Sequence, residues 1–213
     1  MRIMMLDTET TNDIECPLCY DVGYQVFEDS NGLVLAEASM VNADIFCDKE
    51  LMASAFFADK IPIYWEEIKM GARELMAWSR IKWRLFEAYV NYNCAAVCAH
   101  NARFDYRSLH NTQRYITTSQ FRYVLPWGAV WLDTLKMARN VLKDDEAYKK
   151  FCVENEYLTA NNQPKMTAEV LYRYITGKND FDESHTALED VRIEKLIYFY
   201  CISRDPAVDG KLW

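Results

Sequence analysis

The chain has 213 residues, 51% hydrophobic and 26% charged, which is enough apolar material for one sizeable core. Its net charge of −8 argues against a protein that grips duplex nucleic acid by charge, although divalent cations at a site would invert the field locally. Seven cysteines, an early Asp7 that interrupts any leader-like run and no stretch approaching a membrane span point to reduced thiols, a cytoplasmic location and no membrane partner. With 6 Gly and 5 Pro there is little room for linkers, so a single domain over residues 1–213 is expected.

Residues 2–7 read as a buried strand that runs into Asp7-Thr8-Glu9-Thr10-Thr11. Side chains two apart on a strand share a face, so Asp7 and Glu9 converge. Two adjacent acids repel unless a cation sits between them, and hard oxygen donors suit Mg²⁺ or Mn²⁺. On its own such a pair is more often a solvated strand edge. Residues 20–28 and 33–41 are two further strands around the turn Asp29-Ser30-Asn31-Gly32, so the chain opens as an antiparallel meander.

A helical insertion near residues 48–92 follows, with one piece at 48–58 and a longer one at about 64–92. Trp65, Ile68, Ala72, Leu75, Met76, Ser79, Trp83, Phe86 and Val90 recur at helical spacing and read as a core-facing stripe. The apolar run 94–99, with Cys94 and Cys98 as small buried hydrophobes, is a strand. It leads into His100-Asn101-Ala102-Arg103-Phe104-Asp105 and a helix. Asn101 is expected to cap that helix through its side chain, and Asp105 to lie one turn inside. As plain local chemistry, Asp105 would be a helix-start acid favoured by the dipole.

Residues 129–132 form another apolar strand, which enters Asp133-Thr134 and a helix to about 142. Helices near 145–155 and 167–176 follow, the second with Thr167 as N-cap and Gly177 as its stop. Next comes Ser184-His185-Thr186-Ala187-Leu188-Glu189-Asp190. Thr186 and Glu189 have capping-box spacing, which starts a helix at about 187–202, fixes Asp190 on its first turn and leaves His185 on a loop free to swing. A mobile imidazole beside a fixed carboxylate suits a general base next to a metal ligand, whereas a lone loop histidine such as His110 is a bystander. Three antiparallel strands followed by strand–helix–strand–helix predict an α/β mixed sheet with helices on both faces.

Taken in order, these constellations resemble the DEDD superfamily of 3′–5′ exonucleases. The narrower likeness is to its DEDDh branch, which includes the proofreading subunit of bacterial replicative polymerase, ribonuclease T and oligoribonuclease. The matching residues are Asp7-Thr8-Glu9-Thr10-Thr11, then Asn101-x-x-Phe104-Asp105, then His185-x-Ala187-x-x-Asp190. The sister branch carries Tyr four residues before the last Asp, where this chain has Thr186. Trp131-Leu132-Asp133-Thr134-Leu135 and Leu171-Tyr172-Arg173-Tyr174 extend the likeness, which spans residues 3 to about 200. Asn12 stands where many relatives have Gly, and the insertion is long.

The resemblance implies an RNase H-like sheet and a two-metal hydrolase using Mg²⁺ or Mn²⁺. Asp7, Glu9 and Asp190 would hold one ion. Asp7 would bridge to a second, with Asp105 assisting. His185 would take the proton of the attacking water, its pKa raised somewhat by neighbouring carboxylates. Thr8, Thr10, Thr11, Asn101 and Arg103 are the candidate substrate contacts. Arg107 shares a helix face with Arg103, where phosphate contact and plain solvation compete. The expected activity is 3′–5′ hydrolysis of single-stranded DNA ends to nucleoside 5′-monophosphates, with a DNA polymerase or replication protein as a conceivable partner. The alternatives are an exoribonuclease, which the sequence does not separate from a deoxyribonuclease, and a non-catalytic adaptor. An adaptor would be expected to have lost at least one of the five residues, and all five are present.

Overall fold

Ile3 and Met5 point to one face of the first strand and Met4 and Leu6 to the other, and all four are fully buried. A strand apolar on both faces belongs inside a sheet that is covered on both sides. The computed structural model describes residues 1–182 and 185–213, so Ser184 of the third motif lies outside the described residues. It places β1 (Arg2–Thr11) in the interior of a six-stranded sheet. β2 (Leu18–Glu28) and β3 (Val34–Asn42) complete the antiparallel meander, with Gly32 at φ +73° in the turn between them.

Two one-turn helices, α1 (Ala43–Phe46) and α2 (Lys49–Met52), open the insertion, and α3 (Ile61–Lys69) follows a short 3₁₀ turn. The expected helix over 48–58 is therefore a single turn. The expected helix over 64–92 is two helices with a strand between them. Gly71, at φ +74°, ends α3 and turns the chain to the sheet edge, where β4 (Glu74–Met76) pairs parallel with β3. α4 (Trp78–Asn91) then starts in a new rotational register. Trp78, Ile81, Leu85 and Ala88 are its buried face, while Trp65 of α3 and Trp83 and Val90 of α4 are exposed. The single core-facing stripe is thus corrected. A break of a few non-helical residues resets which positions face inward.

β5 (Ala96–Ala99) pairs parallel with β1, and β6 (Trp131–Asp133) pairs parallel with β5, giving the order β4-β3-β2-β1-β5-β6. α5 (Ala102–Ile116) shares with α4 the core built on Met4 and Leu6. On the other face lie α6 (Thr134–Leu142), α7 (Glu146–Glu154), α8 (Ala168–Thr176) and α9 (Ala187–Arg204), packed on Ile3 and Met5. Thr167 caps α8 by accepting the Val170 N–H, and Gly177, at φ +70°, ends it. Among the described residues no helix is long and apolar enough to cross a membrane. The architecture is the expected RNase H-like mixed sheet with helices on both faces.

At Gly23 of β2 the start of α9 comes close to the sheet. A Cβ built there would stand 2.4 Å from the carbonyl carbon of Ala187 and 2.4 Å from the amide nitrogen of Leu188. Those clashes are with backbone, so no side-chain rotation relieves them. Gly23→Ala should therefore push α9 off the sheet and lower stability by about 1–3 kcal/mol, the usual cost of overpacking. A urea denaturation midpoint equal to wild type would contradict this seating of α9.

Candidate active site

Asp7 and Glu9 lie on one face of β1, toward α9. Gly23 is the β2 partner of Asp7 and Asp21 that of Glu9, and the register slips by one residue between Glu9 and Thr10. A bulge at this point bends the strand end and re-aims its side chains. The glycine opposite Asp7 admits the start of α9, whose first turn then delivers Asp190 to the same place.

The start of α9 is not held by the expected capping box. Thr186 occupies the cap position, but its side chain makes no capping bond. The Ala187 N–H donates instead to Asp21 Oδ2 at 3.1 Å. Asp21 is fully buried, and the same oxygen accepts the Tyr64 hydroxyl at 2.7 Å and the Arg73 guanidinium at 2.8 Å. Burial raises its pKa, and Arg73, Tyr64 and the Ala187 amide oppose that. An anion at a helix N-terminus is favoured by the dipole and by charge-assisted bonds. Asp21, Tyr64 and Arg73 went unnoticed in the sequence because they meet only in three dimensions.

His185 adopts φ +49°, and its ring stacks on Phe57 of the insertion, with centroids 4.1 Å apart and planes 14° apart. Lys60 Nζ lies 4.6 Å from the Phe57 centroid. The imidazole is therefore seated on an aromatic platform, whereas the sequence predicted a freely swinging ring. One ring nitrogen of His185 and one carboxylate oxygen each of Glu9 and Asp190 lie within 4.8 Å of one another. The expected rise in the His185 pKa is also corrected. Burial first, and Lys60 second, push it below the ordinary value, outweighing the nearby carboxylates. The neutral, proton-accepting form is favoured.

Asp105 is buried in the first turn of α5 and accepts the Thr8 hydroxyl at 2.9 Å. Burial pushes its carboxyl up to about 7, against the lowering effect of Thr8. Asp7 is held well above the usual carboxylate range, by burial first and then by the charges of Glu194, Asp105, Asp190 and Glu9. Glu194, buried one turn after Asp190 on α9, is an acid that the motif reading missed. Its signal was the i, i+4 spacing that puts it on the same helix face as Asp190.

The other expected contacts divide. The Thr8 hydroxyl is committed to Asp105. The buried Thr11 hydroxyl is committed to the Leu51 carbonyl and to Ser54 Oγ. Both hydroxyls thus have partners within the chain, while the backbone at Thr8 and Thr11 belongs to the end of β1. Thr10 is half-buried beside the bulge. Asn101 does not cap α5 with its side chain. It takes the left-handed conformation at φ +63°, and its N–H donates to Asp133 Oδ1 at 3.0 Å. Asn101 lines a cavity of about 700 Å³ together with Asp7, Asp190 and Glu194, and Arg139, Lys143 and Lys165 also line it. Arg103 is exposed on the first turn of α5.

This set of hard oxygen donors plus one imidazole suits a divalent cation of the Mg²⁺ or Mn²⁺ kind. The raised carboxyl pKa values of Asp7 and Asp105 mark a place where charge awaits compensation. For Asp105 the sign follows from linkage. Its folded pKa of about 7 exceeds an unfolded value near 3.9, so its contribution to stability is complete below about pH 4 and is lost as pH rises through about 7. In EDTA, wild type should therefore lose stability relative to Asp105→Asn across that window, as read by urea denaturation. Parallel pH profiles for the two proteins would contradict the assignment.

No protein-family model and no curated protein sequence matches this chain. Solved structures do. The nuclease domain of 3′hExo, a DEDDh family member bound to rAMP, is 9% identical over 98% of this chain and 95% of that one, with a TM-score of 0.65. A 3′-exonuclease in a study of 3′-end-specific recognition of histone mRNA stem-loop is 7% identical over 98% and 84%, with a TM-score of 0.59. E. coli exonuclease I with a 5cy-dT13 oligonucleotide is 12% identical over 97% of this chain, which spans 41% of that protein, with a TM-score of 0.60. The chain has the fold of the DEDDh 3′–5′ exonucleases.

Proposed function

We propose that this protein is a metal-dependent 3′–5′ exonuclease that removes nucleoside 5′-monophosphates from the 3′ end of single-stranded DNA. The observation that carries the reading is the approach of Glu9, His185 and Asp190 to within 4.8 Å of one another, beside Asp7 and Asp105, at the end of β1. In this reading Asp7, Glu9, Asp105 and Asp190 would hold divalent cations. Such ions, when bound, supply Lewis-acid stabilisation of the attacking and leaving oxygens of an in-line displacement. Water attacks the terminal phosphorus as His185 takes its proton, the bond to the 3′-oxygen of the preceding nucleotide breaks, and that oxygen takes a proton from solvent to leave as the 3′-hydroxyl. The Phe57 platform holds the imidazole, and its lowered pKa keeps it ready to accept. Asn101 and the backbone around Thr10 border the terminal nucleotide.

Hydrolysis of RNA 3′ ends is the second reading. It draws support from the 3′hExo domain bound to rAMP, whose fold this chain shares.

A time course on matched 3′- and 5′-labelled DNA and RNA oligonucleotides tests both. The expected result is stepwise shortening from the 3′ end in Mg²⁺ or Mn²⁺ and none in EDTA. His185→Ala should slow single-turnover cleavage by about 10²–10⁴-fold and lose the acid limb of the pH–rate profile, with the fold intact. Cleavage in EDTA would refute the metal assignment, and an unchanged acid limb in His185→Ala would refute the base.

A further inference from the structure

We propose that the outer face of α5 is the track for the strand upstream of the scissile end, a single-stranded nucleic-acid groove built on Arg103, Arg107 and Arg114. The proposal rests on the exonuclease reading. The three arginines stand at i, i+4 and i+11, three helical turns on one face. With Tyr106 and Trp213 they line a surface groove of about 430 Å³ that has no acidic lining residue. In a chain of net charge −8, a groove lined by three guanidiniums and no acidic side chain is a local concentration of positive charge, with Asp13 and Glu15 beyond its rim on either side of Ile14. Among the described residues none of the three forms an ion pair with a carboxylate. Arg107 donates to the Ile14 carbonyl at 2.7 Å, while its Nε is buried with no hydrogen-bond partner among the described residues.

The groove also offers a stacking surface. Trp213 is exposed and meets Tyr106 in a T-shaped contact, with centroids 4.9 Å apart and planes at 79°. Guanidiniums that follow a backbone, beside an exposed indole on which a base of any kind can stack, are the chemistry of sequence-tolerant single-strand binding. Continuity with the site selects this occupant. Asp105 itself faces the core, about 200° round the helix from Arg103, but Asn101, two residues before Arg103, lines the cavity that holds Asp7 and Asp190, so the N-terminal end of the arginine row adjoins the site. From Arg103 to Arg114 the helix rises about 16 Å, the reach of about four or five stacked nucleotides. The track therefore predicts a preference for strands longer than the dinucleotide that the catalytic cluster alone would accept.

The test measures kcat/KM on oligothymidylates of two and ten nucleotides over a range of KCl, for wild type, Arg107→Ala/Arg114→Ala and Arg107→Lys/Arg114→Lys. Wild type should favour the decamer by about tenfold or more. The alanine variant should lose most of that ratio, and its log–log salt slope on the decamer should fall by about 1.4, at about 0.7 per phosphate contact. Lysines should restore much of both. An alanine variant that keeps the wild-type ratio and slope overturns the track. Arg107 also bonds Ile14, so the exposed pair Arg114→Ala/Trp213→Ala carries the test should the first variant misfold. If wild type cleaves neither oligonucleotide, the exonuclease reading fails. Anisotropy of a labelled decamer in EDTA then still decides the groove: weaker binding by the alanine variant supports it, and equal binding refutes it.

Discussion

The arrangement turns on the mutual repulsion of carboxylates gathered at the end of β1. Two like charges about 5 Å apart repel by about 3 kcal/mol at an effective dielectric near 20, and here Asp7, Glu9, Asp105, Asp190 and Glu194 share one neighbourhood. Left to itself, a chain would splay such groups into water. Burial raises the pKa values of Asp7 and Asp105, and at Asp7 the neighbouring charges add to it; protonation or a bound cation would relieve the repulsion without moving the residues. The fold has to hold the cluster together against the charge it carries.

It does so with parts that are far apart in sequence. β1 is clamped by apolar cores on both faces, so Asp7 and Glu9 have a rigid base. Gly23 lets α9 reach the sheet, and Asp21 takes the first N–H of that helix. Asp21 can be buried because Arg73 and Tyr64, both from the insertion, satisfy it. Phe57 of the same insertion seats His185. The residues between β3 and β5 thus tie the sheet, the helix that bears Asp190 and the histidine into one unit.

What was legible in the sequence was local. The meander showed itself through the turn residues Asp29–Gly32 between two β-rich runs, the ends of α8 through Thr167 and Gly177, and the acids gathered at the end of β1 through the short motifs around Asp7, Asp105 and Asp190. What was not legible depended on distant partners. Periodicity carried the helix of the insertion straight through Gly71, because a strand of three residues leaves almost no pattern of its own. A capping box at Thr186 was reasonable from spacing, yet a carboxylate on β2 took its place. The His185 pKa was misjudged for the same reason, since Lys60 and the burying wall around the ring come from elsewhere in the chain.

The claim that the carboxylate cluster is a cation site is tested most directly by counting bound Mn²⁺ by titration calorimetry at pH 8, in wild type and Asp7→Asn. Asp7 is the acid expected to touch both ions. The account predicts two Mn²⁺ per chain in wild type and the loss of at least one in Asp7→Asn, with an unchanged circular dichroism spectrum. Equal Mn²⁺ uptake by the two proteins, or no uptake by wild type at millimolar metal, would contradict it.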